Sequence, residues 1–218
     1  MPHDPNNLPD PAAREHAITL GVLAASTVAQ MTPLTTKLIR ELKDAGVTRR
    51  AIYEVLLQTY LHDGYATALE ATATLEKIWP GSEEDKQLYE SAGWDQWLDR
   101  GQDTFQLVYG VMSDRVREYI GGNSPELASW MIAEGYGKVL ARGGLDMQTR
   151  EIGTVSVLVM KNRSRQLYSH LRGAIRVGVP IDELDRLLDT LAKQFPDRPG
   201  ISEAPFLLRT IENKQDWK

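Results

Sequence analysis

Cysteine is absent from all 218 residues, and that absence closes more chemical routes than any other. Without a thiol there is no disulfide, no thiolate metal ligand, no covalently attached haem and no Cys nucleophile or redox couple. Long apolar runs are missing as well, since no stretch approaches the roughly 18 residues of a membrane-spanning helix. The polar, proline-rich residues from Met1 to Pro11 do not read as a signal peptide. The expected compartment is therefore the cytoplasm, with no membrane partner. Basic excess is missing too: the net charge is -5, whereas phosphate recognition needs a clustered basic footprint. Nucleic acid is not an expected partner. There is no His-x-x-x-His or Glu-x-x-His spacing, no Gly-rich phosphate loop and no Gly-x-Ser-x-Gly elbow. No metal and no cofactor are expected. What remains is 42% hydrophobic and 25% charged, the composition of an ordinary globular protein of one medium domain or two small ones.

Helical period runs throughout. Ala17, Leu20, Gly21, Ala24 and Val28 recur at three-and-four spacing and predict a helix from Ala12 to about Gln30. Others are predicted from Leu34 to Ala45, from the Thr48 cap through Tyr60, and from Ala66 to Ile78, with Gly64 as an interruption. Trp79-Pro80-Gly81 is the expected domain boundary, dividing 1–81 from 82–218. Beyond it helices are predicted at Lys86–Leu98, Phe105–Ile120, Ser124–Leu140, Asp146–Met160, Ser164–Val177 and Asp182–Phe195. Thr154 to Met160 is apolar enough for a strand, but its flanks favour a buried helix. The fold class read from this pattern is all-α.

The two halves resemble each other. Arg14-Glu15 is matched by Arg150-Glu151, and Ala45-Gly46-Val47-Thr48 by Val177-Gly178-Val179-Pro180. That alignment needs an insertion between Met31 and Leu34 in the first half. Ile52 then falls opposite Leu184, and Leu56-Leu57 opposite Leu188-Asp189. A duplicated unit is one reading; the other is that any two helical hairpins look alike at this level.

His170 is the first candidate for chemistry. Leu167, Leu171 and Ala174 place it at the edge of an apolar stripe, where a histidine can act as acid, base or hydrogen-bond donor, or be a satisfied core residue. Glu151 opens the preceding helix. If it faces His170 across the hairpin it fixes the imidazole tautomer; otherwise it complements the helix dipole. Arg142, Arg150, Arg163, Arg165, Arg172 and Arg176 cluster nearby, and guanidinium suits a carboxylate-bearing substrate. Tyr60, His62 and Asp63 form a polar knot beside Gly64, read as a surface turn. His3 and His16 have no evident partners.

The run from Glu134 through Tyr136-Gly, Arg142-Gly-Gly-Leu-Asp146 and Arg150-Glu151 to Leu167-Tyr-Ser-His170 and Gly178-Val resembles the carboxymuconolactone decarboxylase family. The upstream Val108-Tyr109-Gly110 also resembles a segment of it. The first half resembles the family's Gly-Val-Thr, Glu-Val-Leu-Leu-Gln and Tyr-x-Gly-x-x-x-Ala signature, with Gly46-Val-Thr, Glu54-Val-Leu-Leu-Gln58 and Tyr60 to Ala68. The resemblance implies a helical bundle of the alkylhydroperoxidase D-like type that forms homo-oligomers; for this two-unit chain a dimer or trimer is expected. The related thiol branch uses a Glu, a Cys-x-x-Cys pair and a His, and here Arg163 and Gln166 stand at the two Cys positions. Thiol-based peroxide reduction is thereby excluded. Glu15 persists in the first copy, whereas its His position falls near Lys37 or Leu38.

The resemblance implies a decarboxylase-like lyase, of the kind that serves aromatic degradation, acting on a small carboxylated lactone or related acid. His170 and Glu151 are its expected catalytic pair. Arg142, Arg172, Tyr136, Arg163, Gln166, Glu54 and Tyr60 are the expected substrate-binding residues, with Glu54, Gln58 and Tyr60 completing a composite site from the other unit or a neighbouring subunit. The alternative is a non-catalytic scaffold or small-molecule-binding protein that retains the fold alone.

Overall fold

Asp10 starts the first helix. Its Oδ1 accepts from the Ala12 N–H at 3.0 Å, and Pro11 fills the first helical position, where no N–H is needed. Its Oδ2 accepts from both the backbone N–H and the hydroxyl of Thr48, at 2.8 and 2.9 Å, which ties this start to a later one. The computed structural model describes residues 9–82 and 92–215, and among them every regular element is a helix. The chain divides into two compact units. One joins residues 1–87 to 143–218, and the other is 88–142. This is a division by packing; the expected division at residue 81 concerns copies of a repeat.

The first unit contains α1 (Pro11–Glu15), α2 (Ala17–Val28), α3 (Thr32–Asp44), α4 (Arg49–Gln58) and α5 (Tyr60–Ile78). The single helix expected from Ala12 is thus two, broken at His16. At the centre of this unit α2 lies against the helix Met147–Met160. Both are buried nearly all round, including Leu20 to Val28 on one and Thr149 to Met160 on the other. Gly21 allows the approach, because a Cβ there would stand 2.7 Å from Ser156 Oγ and 3.0 Å from Ile152 Cγ2.

The second unit holds α6 (Trp94–Tyr109), a single 3-10 turn at Gly110–Met112, α7 (Ser113–Asn123) and α8 (Pro125–Trp130), which continues as a π-helix over Met131–Leu140. Gly110, at φ 55°, splits the helix expected from Phe105 to Ile120. The helix expected at Lys86–Leu98 lies partly outside the described residues. The chain then returns to the first unit with α9 (Met147–Met160), α10 (Ser164–Arg176), α11 (Ile181–Gln194) and α12 (Gly200–Lys214). The sequence reading stopped at Phe195 and missed α12. Pro199 and Pro205 obscured it, although Ile201, Ala204, Leu208 and Ile211 carry a helical stripe that packs on α9, α10 and α11.

Within the first unit the pairings repeat. α2 packs on α3 as α9 packs on α10, α4 on α5 as α11 on α12, and α11 on α2 as α4 on α9. After α2 and after α9 the chain turns through a left-handed residue, Gln30 at φ 58° and Asn162 at φ 52°. The same interval then leads to a left-handed glycine, Gly46 at φ 83° and Gly178 at φ 98°. No insertion separates the two hairpins, contrary to the sequence alignment. At this register Thr19, not Glu15, stands opposite Glu151, and Leu38 stands opposite His170.

Gly200 enters α12 so close to α9 that a Cβ on it would overlap the carbonyl oxygen of Val159. That oxygen already accepts the Asn162 N–H at 3.1 Å and is held by the turn. Gly200→Ala is expected to destabilise the protein by about 1–3 kcal/mol. Gly122→Ala, on α7 with nothing within 4 Å of its added Cβ, is the control and is expected to be neutral to stabilising. Urea unfolding midpoints of the two variants compare them directly.

Candidate functional site

α9 begins at Asp146, whose Oδ1 accepts from the Thr149 N–H at 2.8 Å and whose Oδ2 accepts from its hydroxyl at 2.9 Å. Glu151 is therefore the fifth residue of the helix and not in its first turn, so the helix dipole does not account for it. It is 0% exposed. A carboxylate this deep needs a specific partner, and α10, returning antiparallel, supplies one. Glu151 Oε2 lies 2.9 Å from His170 Nδ1, and His170 is 7% exposed. The contact orients the ring and assigns Nδ1 to the carboxylate. Glu151 Oε1 is buried with no hydrogen-bond partner among the described residues.

A second polar layer adjoins this pair. Gln58, on α4, donates from Nε2 to the Arg150 carbonyl at 2.8 Å and to Thr154 Oγ1 at 2.9 Å. Arg150 is 1% exposed and donates to Glu54 Oε2 at 3.1 Å and to the Gly143 carbonyl at 3.2 Å. Arg50 pairs with the other Glu54 oxygen at 2.8 Å. Glu54 thus gives one oxygen to each of two arginines. Removing one member of such a buried group leaves an uncompensated charge, which fixes the geometry of α4 against α9.

His62 completes the cluster. Gly64, at φ 81° and ψ -179°, breaks α5 and leaves Tyr60 to Asp63 as a separate turn. Thr67 Oγ1 donates to Asp63 at 2.8 Å, and Lys161 pairs with the same carboxylate at 2.5 Å, anchoring the turn to the end of α9. The His62 ring then stands edge-on to His170, centroids 6.2 Å apart. His62 Nε2 is buried and has no partner among the described residues. Burial, reinforced by the neighbouring His170, lowers its pKa to about 3.

The other expected residues are placed as follows. Tyr60 packs on Tyr65, ring centroids 4.7 Å apart. Arg163 and Gln166 are exposed at the start of α10. Arg172 is half-buried over the Tyr168 ring, 6.0 Å from its centroid. It lies two residues past His170 and so about 200° around the helix. Tyr136 and Arg142 belong to the unit 88–142, where Tyr136 is buried against Phe105 and its hydroxyl donates to Tyr109 Oη at 3.2 Å. The structure therefore brings Glu151 to His170, and Glu54 and Gln58 to Arg150.

The sequence reading missed His62, which it took for part of a surface turn, and gave Arg150 no part in the site. A signal for His62 was available. The Tyr-x-Gly signature puts its aromatic residue two before the glycine, and two before Gly64 stands His62, whereas Tyr60 is four before. No group of three or more His, Asp or Glu side chains suited to a metal ion occurs among the described residues. No helix among them is long and apolar enough to cross a membrane.

Residues 125–192 match the model of the carboxymuconolactone decarboxylase family, an all-α fold. The matched segment includes both Glu151 and His170 and corroborates the resemblance read from the sequence. No curated protein matches the chain.

With its folded pKa held below the ordinary imidazole value of 6.5, His62 binds its proton more weakly in the folded chain than in the unfolded one. The unfolded chain then takes up the extra proton between about pH 6.5 and 3, and stability falls as pH drops through that window. His62→Phe is expected to lose less of its denaturation midpoint between pH 7 and pH 4 than the parent protein does. Parallel pH dependences in the two proteins would contradict this.

Proposed function

We propose that the chain is an acid/base enzyme of the carboxymuconolactone decarboxylase type, acting without a thiol on a small carboxylated lactone or a related acid by decarboxylation or isomerisation. The observation that carries this reading is the contact of Glu151 Oε2 with His170 Nδ1, 2.9 Å long and buried, within the segment that matches the family. A buried carboxylate–imidazole pair is a costly element for a scaffold and a working one for proton transfer. With Nδ1 turned to Glu151, exchange with substrate runs through Nε2.

In the decarboxylation, the bond from carbon to the carboxylate breaks, carbon dioxide leaves, and the electron pair passes into the conjugated lactone as an enolate. His170 delivers one proton to carbon, collapsing the enolate, and recovers one from water. Glu151 holds the ring in the required tautomer through both transfers. Arg150, fixed by Glu54, Gln58 and the Gly143 carbonyl, holds the backbone just before Glu151. The dithiol chemistry of the related branch has no counterpart, since the chain has no cysteine.

We also infer that the two sets of helices are copies of one unit. The repeated pairings and the matched left-handed turns support this. A homodimer or homotrimer in the cytoplasm fits the reading, and the exposed Leu107, Val111, Leu127 and Trp130 of the second unit offer apolar surface for such an assembly.

His170→Ala is expected to lower turnover of γ-carboxymuconolactone, or of whichever acidic lactone proves active, by about 10²- to 10⁴-fold while leaving the helical circular dichroism spectrum unchanged. Glu151→Gln should lose less, because its amide still accepts a hydrogen bond from Nδ1. Full activity in His170→Ala would refute the proposal.

A further inference from the structure

We propose that His62 is a ligand-binding residue of this site, presenting Nε2 to an oxygen of the bound acid from the opposite copy of the helical unit. The inference rests on the acid/base reading above and extends the site to a residue outside the matched segment. Two of the buried polar atoms without partners among the described residues belong to groups that neighbour His170: His62 Nε2, whose ring stands edge-on to it, and Glu151 Oε1, whose other oxygen meets its Nδ1. Buried polar atoms in folded proteins are almost always satisfied, and orphaned ones on groups that share a neighbour mark where a ligand completes the set. Here one is a carboxylate oxygen, which accepts, and the other a ring nitrogen, which can donate. Together with the His170 ring, 6.2 Å from that of His62, they suit a small molecule bearing both oxygen acceptors and an acidic or protonatable group.

The surroundings keep His62 uncharged, since burial and the neighbouring His170 both oppose its protonation. An uncharged imidazole donates a hydrogen bond without surrendering its proton, the property needed opposite an oxygen on which charge collects. His170 and His62 then divide the work. One transfers the proton, and the other stabilises the enolate oxygen until the proton arrives. The turn bearing His62 is pinned by Asp63 to Lys161 and Thr67 and ended by Gly64, so its donor is set in place before the ligand binds.

The test begins with a planar acid that does not react, 2-furoate, followed by imidazole nitrogen NMR. Added furoate should shift both the His62 and the His170 ring resonances in the parent protein. Turnover is measured in parallel. His62→Phe keeps the ring shape but removes the donor, and is expected to lower kcat by about 10²- to 10³-fold with KM changed less than about threefold. His62→Gln places an amide N–H near the former Nε2 and should regain at least tenfold over His62→Phe. Thermal unfolding of both variants near the parent value separates a lost donor from a lost fold. A furoate shift at His170 but not His62, or parent turnover in His62→Phe, overturns this inference and leaves the Glu151–His170 reading standing. If His170→Ala retains full activity, that reading falls instead, and the furoate shift at His62 alone decides whether the residue meets a ligand.

Discussion

The rest of the first unit is organised around the crossing of α2 and α9. Because Gly21 lets the two helices approach within side-chain contact of Ser156 and Ile152, α9 is enclosed on all sides from Thr149 to Met160. An enclosed helix has no solvent face on which to place polar residues, yet α9 carries Arg150, Glu151, Thr154 and Ser156. Each must find a partner inside. Ser156 returns its hydroxyl to the Ile152 carbonyl at 2.8 Å, which closes it locally. Arg150 and Thr154 reach α4, and Glu151 reaches α10. The burial that makes these groups expensive is also what forces them into one geometry, and the candidate site is a consequence of that constraint.

Much of this was legible in the sequence because helical period, caps and breakers are local signals. The Asp146 cap, the glycines at 46 and 178 and the Gly64 interruption each correspond to an observed feature. The juxtaposition of Glu151 with His170 was open to the sequence as a question of hairpin geometry, since consecutive antiparallel helices bring such positions within reach. His62 was not legible in that way. Its role depends on a packing partner more than a hundred residues away, and its own neighbours, Tyr60, Asp63 and Gly64, read locally as a turn. Likewise the break at His16 separates Glu15, the last residue of α1, from α2 and leaves it exposed, so Arg14-Glu15 and Arg150-Glu151 do not occupy matching places.

Zero cysteine takes on a narrower meaning beside the structure. Arg163 and Gln166, which the resemblance sets at the thiol positions of the related branch, are exposed at the start of α10, while Glu151 and His170 lie buried. On the proposed reading, a dithiol and a proton-transfer pair are separable pieces of apparatus on such a hairpin. Loss of the first imposes no loss of the second, because the carboxylate and imidazole are held by α9 and α10 themselves, not by sulfur.

If the two sets of helices are copies, they have diverged in opposite directions. The packing of α4 on α9, which carries Glu54 and Gln58 against Arg150 and Thr154, has its counterpart in α11 on α2. There, at the matched register, Arg186 and Thr190 replace Glu54 and Gln58, and Ile18 and Val22 replace Arg150 and Thr154. Arg186 is exposed there, not buried as Glu54 is, while Leu184, Leu187 and Leu188 occupy core positions as Ile52, Val55 and Leu56 do in the first copy. In a symmetric pair of single units both surfaces would have to serve stability and chemistry at once. Joining them in one chain frees each to specialise. The surface of α4 keeps Ile52, Val55 and Leu56 in the core and carries its charges as paired groups, so that Glu54, Arg50 and Arg150 compensate one another in place.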